Sequence, residues 1–171
     1  MKREFGKYVS LNIFGMLGLS CYILADTFFV SAKMGADGLT ALNLAISIYS
    51  FINGTGLMIG IGGGTKYSIY RSRREEEKGN RVFTAALVMG FLIGIILFAV
   101  GIFATRPLSM LLGAEGKIIE MTTVYLRTIL CFSPCFICNN IFLAFVRNDG
   151  NPRLSMIGML VGSFSNVVLD Y

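Results

Sequence analysis

CYILADTFFV, residues 21–30, sets a carboxylate at position 26 among side chains that are nearly all apolar. A charge at the centre of hydrocarbon costs about 3 kcal/mol on insertion scales. Either this run does not cross a membrane, or Asp26 faces a wet or protein-lined interior and has a task there. Residues 8–25 carry no formal charge, and apolar character resumes after Asp26 as far as Val30. At 1.5 Å per residue that is enough helix to cross roughly 30 Å of hydrocarbon. A secretory signal peptide is a poor alternative, because Asp26 and FFV stand where a small-residue cleavage site would be, and further apolar runs follow.

Those runs are long. Residues 38–65 and 82–105 are uncharged, as are 128–146, with a backward extension through 121–126, and 154–169. Hydrophobic residues make up 54% of the chain and charged ones 15%, with a mean hydropathy of +0.68. An ordinary globular domain carries about 25% charge. The pattern predicts an all-α polytopic membrane protein of about five transmembrane helices, over spans of about 8–31, 38–65, 82–105, 119–146 and 154–171.

The placement of charge matters more than its net value of +5. Lys2, Arg3 and Lys7, the six basic residues of KYSIYRSRREEEKGNR, and Arg147 with Arg153 fall in alternate connections; Lys33, Arg106, Lys117 and Arg127 fall in the others. The positive-inside rule puts the amino terminus in the cytoplasm. Basic residues gathered between apolar runs argue against a nucleic-acid partner and for a membrane-lipid one. The absence of histidine removes histidine metal sites and catalytic triads, and without tryptophan any aromatic belt must be built from tyrosine.

Within the spans, Gly56, Gly60 and Gly64 recur every four residues, as do Gly90 with Gly94 and Gly158 with Gly162. That spacing lets helices approach closely, with local bending as the alternative use. GIGGGTK (60–66) looks phosphate-binding, but Thr65 stands where the Walker pattern needs glycine before the lysine. Cys131, Cys135 and Cys138 share a helical face and read as buried thiols acting as small hydrophobes. Pro134 removes a backbone donor and bends its helix. Asn139 and Asn140 follow it, and with Asn12 and Asn53 they are candidate interhelical hydrogen-bonders.

Asp26 is then either a neutral, hydrogen-bonded contact between helices or a reversible proton or cation site. Desolvation raises a carboxyl pKa and a nearby cation lowers it, so one group can exchange proton for cation. In SNVVLDY (165–171), Asn166 and Asp170 share a helical face that can meet Asp26 across a bundle. If no membrane helix continues there, Asp170 is an interfacial residue instead. Tyr125 and Arg127 sit at the outer edge of the fourth span.

ADTFFVSAKMGADGLTALNL (25–44) resembles the first-span signature of the multidrug and toxic compound extrusion (MATE) family, in particular its prokaryotic branch of DNA-damage-inducible and staphylococcal-type exporters. GIGGGTKYSIYRSRREEEKGNR, VRNDGNPRLSM (146–156) and SNVVLDY extend the resemblance over essentially the whole chain. It implies an incomplete amino-terminal lobe of a twelve-helix carrier in a prokaryotic plasma membrane, a non-enzymatic antiporter. Such a carrier exports organic cations or amphipathic compounds against protons or sodium and uses no organic cofactor. By the same resemblance Asp26 is the coupling carboxylate, and Tyr125, Asn166 and Asp170 form the polar cluster around it; Asp26, Asn166 and Asp170 are the set that would hold sodium.

The chain departs from the family pattern in three ways. YVSLN (8–12) lacks a proline common in relatives, and Ser31 and Ser72 replace glycines. The sequence stops near the fifth helix, so the missing carboxy-terminal lobe is an expected partner, and this segment alone is expected not to transport. Two other readings remain: a lipid-linked oligosaccharide flippase of the same superfamily, which would favour a cationic lumen, and a non-transporting membrane scaffold that tolerates Asp26→Asn.

Overall fold

The computed structural model describes the backbone of residues 2–150 and 152–170; side chains are described from residue 9 onward, except at 11, 12, 15, 18, 19, 22, 25, 26, 152, 163 and 166–170. All regular structure among these residues is helical. In order it comprises α1 (Lys2–Ser72), α2 (Glu76–Phe103), α3 (Thr105–Leu111), α4 (Lys117–Cys131), α5 (Ser133–Asn148) and α6 (Pro152–Asp170).

The length of α1 is deceptive. Gly35 has φ 66° and ψ −155°, outside helical geometry, and breaks the helix into limbs 2–34 and 36–72. That region is essentially reserved for glycine. The single-residue break stands where the charge pattern puts a short connection, around Lys33 and Asp37.

The second limb of α1 packs against α5, and α2 packs against both. Ala45, Ile52 and Ile59 repeat every seven residues on α1 and join Ala86, Leu126, Leu130, Ile137, Ile141 and Phe145 in one core. Beside that row runs the glycine stripe. A Cβ on Gly60 would lie 2.9 Å from Ala144 Cβ and 3.1 Å from the Asn140 carbonyl oxygen. Its absence lets the two backbones approach this closely, the packing use of the four-residue spacing. Gly94 plays the same part on α2, where a Cβ would stand 2.6 Å from Pro134 Cα.

The segment expected to be one span at 119–146 is two helices, α4 and α5, meeting at 49°. Pro134 has no N–H to offer the Leu130 carbonyl, and its ring crowds that turn. The Ser133 hydroxyl takes over: Oγ lies 2.7 Å from Leu130 O and 3.2 Å from Gly94 O. One hydroxyl proton therefore caps the broken helix and reaches across to α2.

The face of α5 turned to the bundle carries Ser133, Ile137, Ile141, Ala144 and Phe145. This corrects one expectation. Cys135 is exposed and Cys138 half-buried, because their face of α5 is rotated away from that inward row, while Cys131, also half-buried, ends α4 across the bend. The outward faces of the other helices are apolar too, with Phe91, Leu92 and Ile96 on α2 more than half exposed. Contiguous apolar surface of this kind calls for lipid or another protein against it.

By length and composition, two helical stretches among the described residues can cross a membrane, Thr27–Ser72 and Glu76–Phe103, or three if the bent pair α4–α5 counts as one. The five expected spans are therefore not all met by that criterion. Arg153–Gly162 in α6 is apolar but short.

At its far end α1 closes in a Schellman motif. The Glu75 N–H donates to Tyr70 O at 3.0 Å and the Arg74 N–H to Arg71 O at 3.0 Å. Position C′ of that motif is left-handed and is usually glycine. Here it is Arg74, with φ 58°.

Candidate functional site

Three polar constructions tie the helices together. The first lies inside the bundle. Asn53 on α1 and Asn140 on α5 face each other across the glycine stripe, with Asn140 Nδ2 donating to Asn53 Oδ1 at 2.7 Å. Each amide also back-bonds to its own helix, Asn53 to Tyr49 O and Asn140 to Phe136 O, both at 3.0 Å. The Tyr49 and Phe136 rings stack edge-on one turn away at 5.4 Å. Close backbones make this pair reachable, and apolar surroundings make it costly to leave unpaired. Asn139, one position on, is exposed.

The second sits at one end of the bundle. Tyr125 of α4 is half-buried, and its hydroxyl points at Met34 Sδ at 3.7 Å, beside the Gly35 break. Nearby, a Cβ on Gly38 would touch Met34 and lie 3.6 Å from Met121 Cε. Thus the Gly35 turn packs against the start of α4. Ser109 of α3 joins the same helix, its hydroxyl 3.0 Å from Thr123 Oγ1.

The third, at the opposite end of α1, was not anticipated. Tyr67 donates its hydroxyl proton to Asp149 Oδ1 at 2.9 Å, Arg71 donates to Tyr67 Oη at 2.9 Å, and Arg71 pairs with Asp149 directly. Ser68 Oγ donates to Asn148 O at 3.0 Å. Beneath this knot Phe145 packs edge-on against Tyr67 and Phe83. A cleft of about 170 Å³ opens beside it, lined by Tyr67, Arg71, Glu76, Gly79 and Asn80. Two further ion pairs, Lys78 with the half-buried Glu75 and the exposed Arg81 with Glu77, complete the turn. The hydrogen bond to Glu75 and its charge hold the Lys78 ammonium above its usual 10.5.

Tyr67 and Arg71 are one helical turn apart in one quoted motif, and Asp149 lies in another. The i, i+4 spacing was visible in sequence; the partner some eighty residues on was not.

Of the four residues expected to couple ions, Tyr125 is placed as above. Asp26 belongs to the first limb of α1, and Asn166 and Asp170 to α6, which packs on α1 and α5. The side chains of these three lie outside the described residues, as does that of Asn12.

The MatE family matches residues 12–171. The multidrug export protein MepA of Staphylococcus saprophyticus is 32% identical over 149 residues, covering 87% of this chain and 33% of its own length; MepA of Staphylococcus aureus is 27% identical over the same span. Two solved structures superpose with a TM-score of 0.87 at 26% identity over 95% of this chain. One, covered to 36%, is a MOP superfamily transporter from Pyrococcus furiosus whose binding pocket is described as having reverse polarity, suggesting a different function. The other, covered to 37%, is an outward-facing multidrug resistance MATE family transporter. The chain spans about a third of the length of the curated relatives it matches. With a match running from residue 12 to residue 171 over a helical bundle of the same architecture, the chain belongs to the MatE family.

Proposed function

We propose that this segment is part of the amino-terminal lobe of a secondary-active exporter that moves organic cations or amphipathic compounds in exchange for protons or sodium. The observation that carries the reading is the unbroken family match over residues 12–171, which includes Asp26, Tyr125, Asn166 and Asp170. Identity of 32% to one staphylococcal multidrug exporter supports the same branch.

In this reading the bundle crosses the membrane five times, each uncharged run falling on its own helical limb or bent pair. The Tyr67–Asp149 and Ser68–Asn148 bonds support one membrane side for the connections that carry the six basic residues of 66–81 and Arg147 with Arg153, the cytoplasmic side by the positive-inside rule. The Tyr125–Met34 contact supports the other side for the Gly35 turn.

Asp26 is the proposed coupling carboxylate, with Tyr125, Asn166 and Asp170 around it and either a proton or sodium as the exchanged ion. For coupling, this carboxylate must bind its ion with different affinity in inward- and outward-open states. That difference alone lets an ion gradient shift the access equilibrium.

A second reading is favoured by the equal likeness to the transporter with a pocket of reverse polarity. A carrier of anionic, lipid-linked sugars would want cations in its lumen, whereas the charged residues proposed within the spans here are Asp26 and Asp170.

The test is to reconstitute the intact protein in sealed vesicles, impose a proton or a sodium gradient, and follow a fluorescent organic cation. Gradient-dependent dye movement supports the antiporter. Movement of an anionic lipid-linked sugar with no dye response would overturn it.

A further inference from the structure

We propose that the Arg73–Arg74 turn is a binding site for anionic phospholipid headgroups. Arg74 occupies the left-handed C′ position closing α1, with φ 58°, and among the described residues it is the one non-glycine with positive φ. Glycine would satisfy the same Schellman hydrogen bonds without strain. Strain retained at one exposed residue points to a use for its side chain.

The surrounding charges sharpen the point. Asp149 is held by Arg71, Glu75 by Lys78 and Glu77 by Arg81. Arg73 and Arg74 are both exposed and enter no ion pair among the described residues, so two guanidinium groups stand free at the tip. Glu76 is the remaining carboxylate of the turn, which leaves it one excess positive charge. The Tyr67–Asp149 and Ser68–Asn148 bonds bring the Arg147 and Arg153 connection to the same end.

Position selects the ligand. The uncharged stretches flanking the turn end at Thr65 and begin again at Val82, each eight residues from it. That is roughly 12 Å of helix on either side. An arginine side chain reaches back over much of that distance, and the residual gap lies within a Debye length of about 8–10 Å. Guanidinium forks bind phosphate oxygens in bidentate fashion, and a phosphate at this level of a membrane belongs to a lipid. The inference rests on the membrane reading but not on transport, so its test has a readout independent of export.

Nanodiscs of phosphatidylcholine doped with phosphatidylglycerol would hold the intact protein, and native mass spectrometry would count the lipid it retains. Arg73→Gln with Arg74→Gln should lower the retained phosphatidylglycerol-to-phosphatidylcholine ratio by at least about five-fold. Arg127→Gln, an exposed arginine on α4, should leave it unchanged. Arg74→Gly should lose lipid while keeping or raising the melting temperature, which a purely structural arginine would not do. The proposal fails if the double variant retains phosphatidylglycerol like wild type, or if Arg127→Gln loses as much. It also fails if inorganic phosphate strips the lipid where chloride at equal ionic strength does not, since the site would then serve a soluble anion.

Discussion

Single residues decide the shape of this bundle at a few points. Gly35 turns the chain between two helical limbs, and a Cβ there would meet open space. A substitution is therefore opposed by the backbone angle alone. Gly35→Ala should destabilise the protein by roughly 1–3 kcal/mol, read as a lower melting temperature in detergent with little loss of expression. Gly94 is the converse case, with ordinary helical geometry and no room. Gly94→Ala drives a methyl into the Pro134 backbone, and a cost of about 1–3 kcal/mol follows. If Gly94→Ala melts like wild type, the close approach of α2 to Pro134 is wrong; if Gly35→Ala does, the left-handed turn is. Neither role was equally legible in sequence. The repeat of Gly90 with Gly94 announced a helix contact, whereas nothing about Gly35 distinguished it from its neighbours except its place between two apolar runs.

At the level of elements, the uncharged stretches translated well because charge is excluded from long apolar helices for one physical reason, the cost of desolvation. Boundaries inside them translated less well. Pro134 signalled the bend between α4 and α5, but the Ser133 hydroxyl that caps Leu130 depends on α2 being alongside. The three cysteines were read from their shared face alone; which face turns inward was set by Ile137 and Ile141. The Asn53–Asn140 contact joins two helices that have nothing in sequence to link them beyond each carrying an amide. A double-mutant cycle with Asn53→Ala and Asn140→Ala should give a coupling of about 0.6 kcal/mol, with roughly 1.7 as an upper bound. Strict additivity would place the two amides apart. The Tyr67–Arg71–Asp149 knot is part-exposed, so Asp149→Asn should cost no more than about 1 kcal/mol. Its melting point should approach that of wild type as salt rises, because the ion pair is then screened in wild type as well.

For the whole molecule, the resemblance read from ADTFF, VRNDG and SNVVLDY agrees with the family match, and the bundle agrees with solved carriers of that architecture. The placement of the proposed coupling residues is a different matter. Sequence could name Asp26, Asn166 and Asp170, but how closely they meet depends on how two helix ends pack, which no local pattern encodes. The account stands or falls on whether the carboxylate in CYILADTFFV links ion movement to export. The most direct measurement compares Asp26→Asn with wild type in the intact protein, following efflux of a cationic dye across a series of imposed pH and sodium gradients. We expect the variant to insert in the membrane at wild-type levels and to lose gradient-driven export. Unchanged export across the series would contradict a coupling role for Asp26 and return it to a hydrogen-bonded contact between helices.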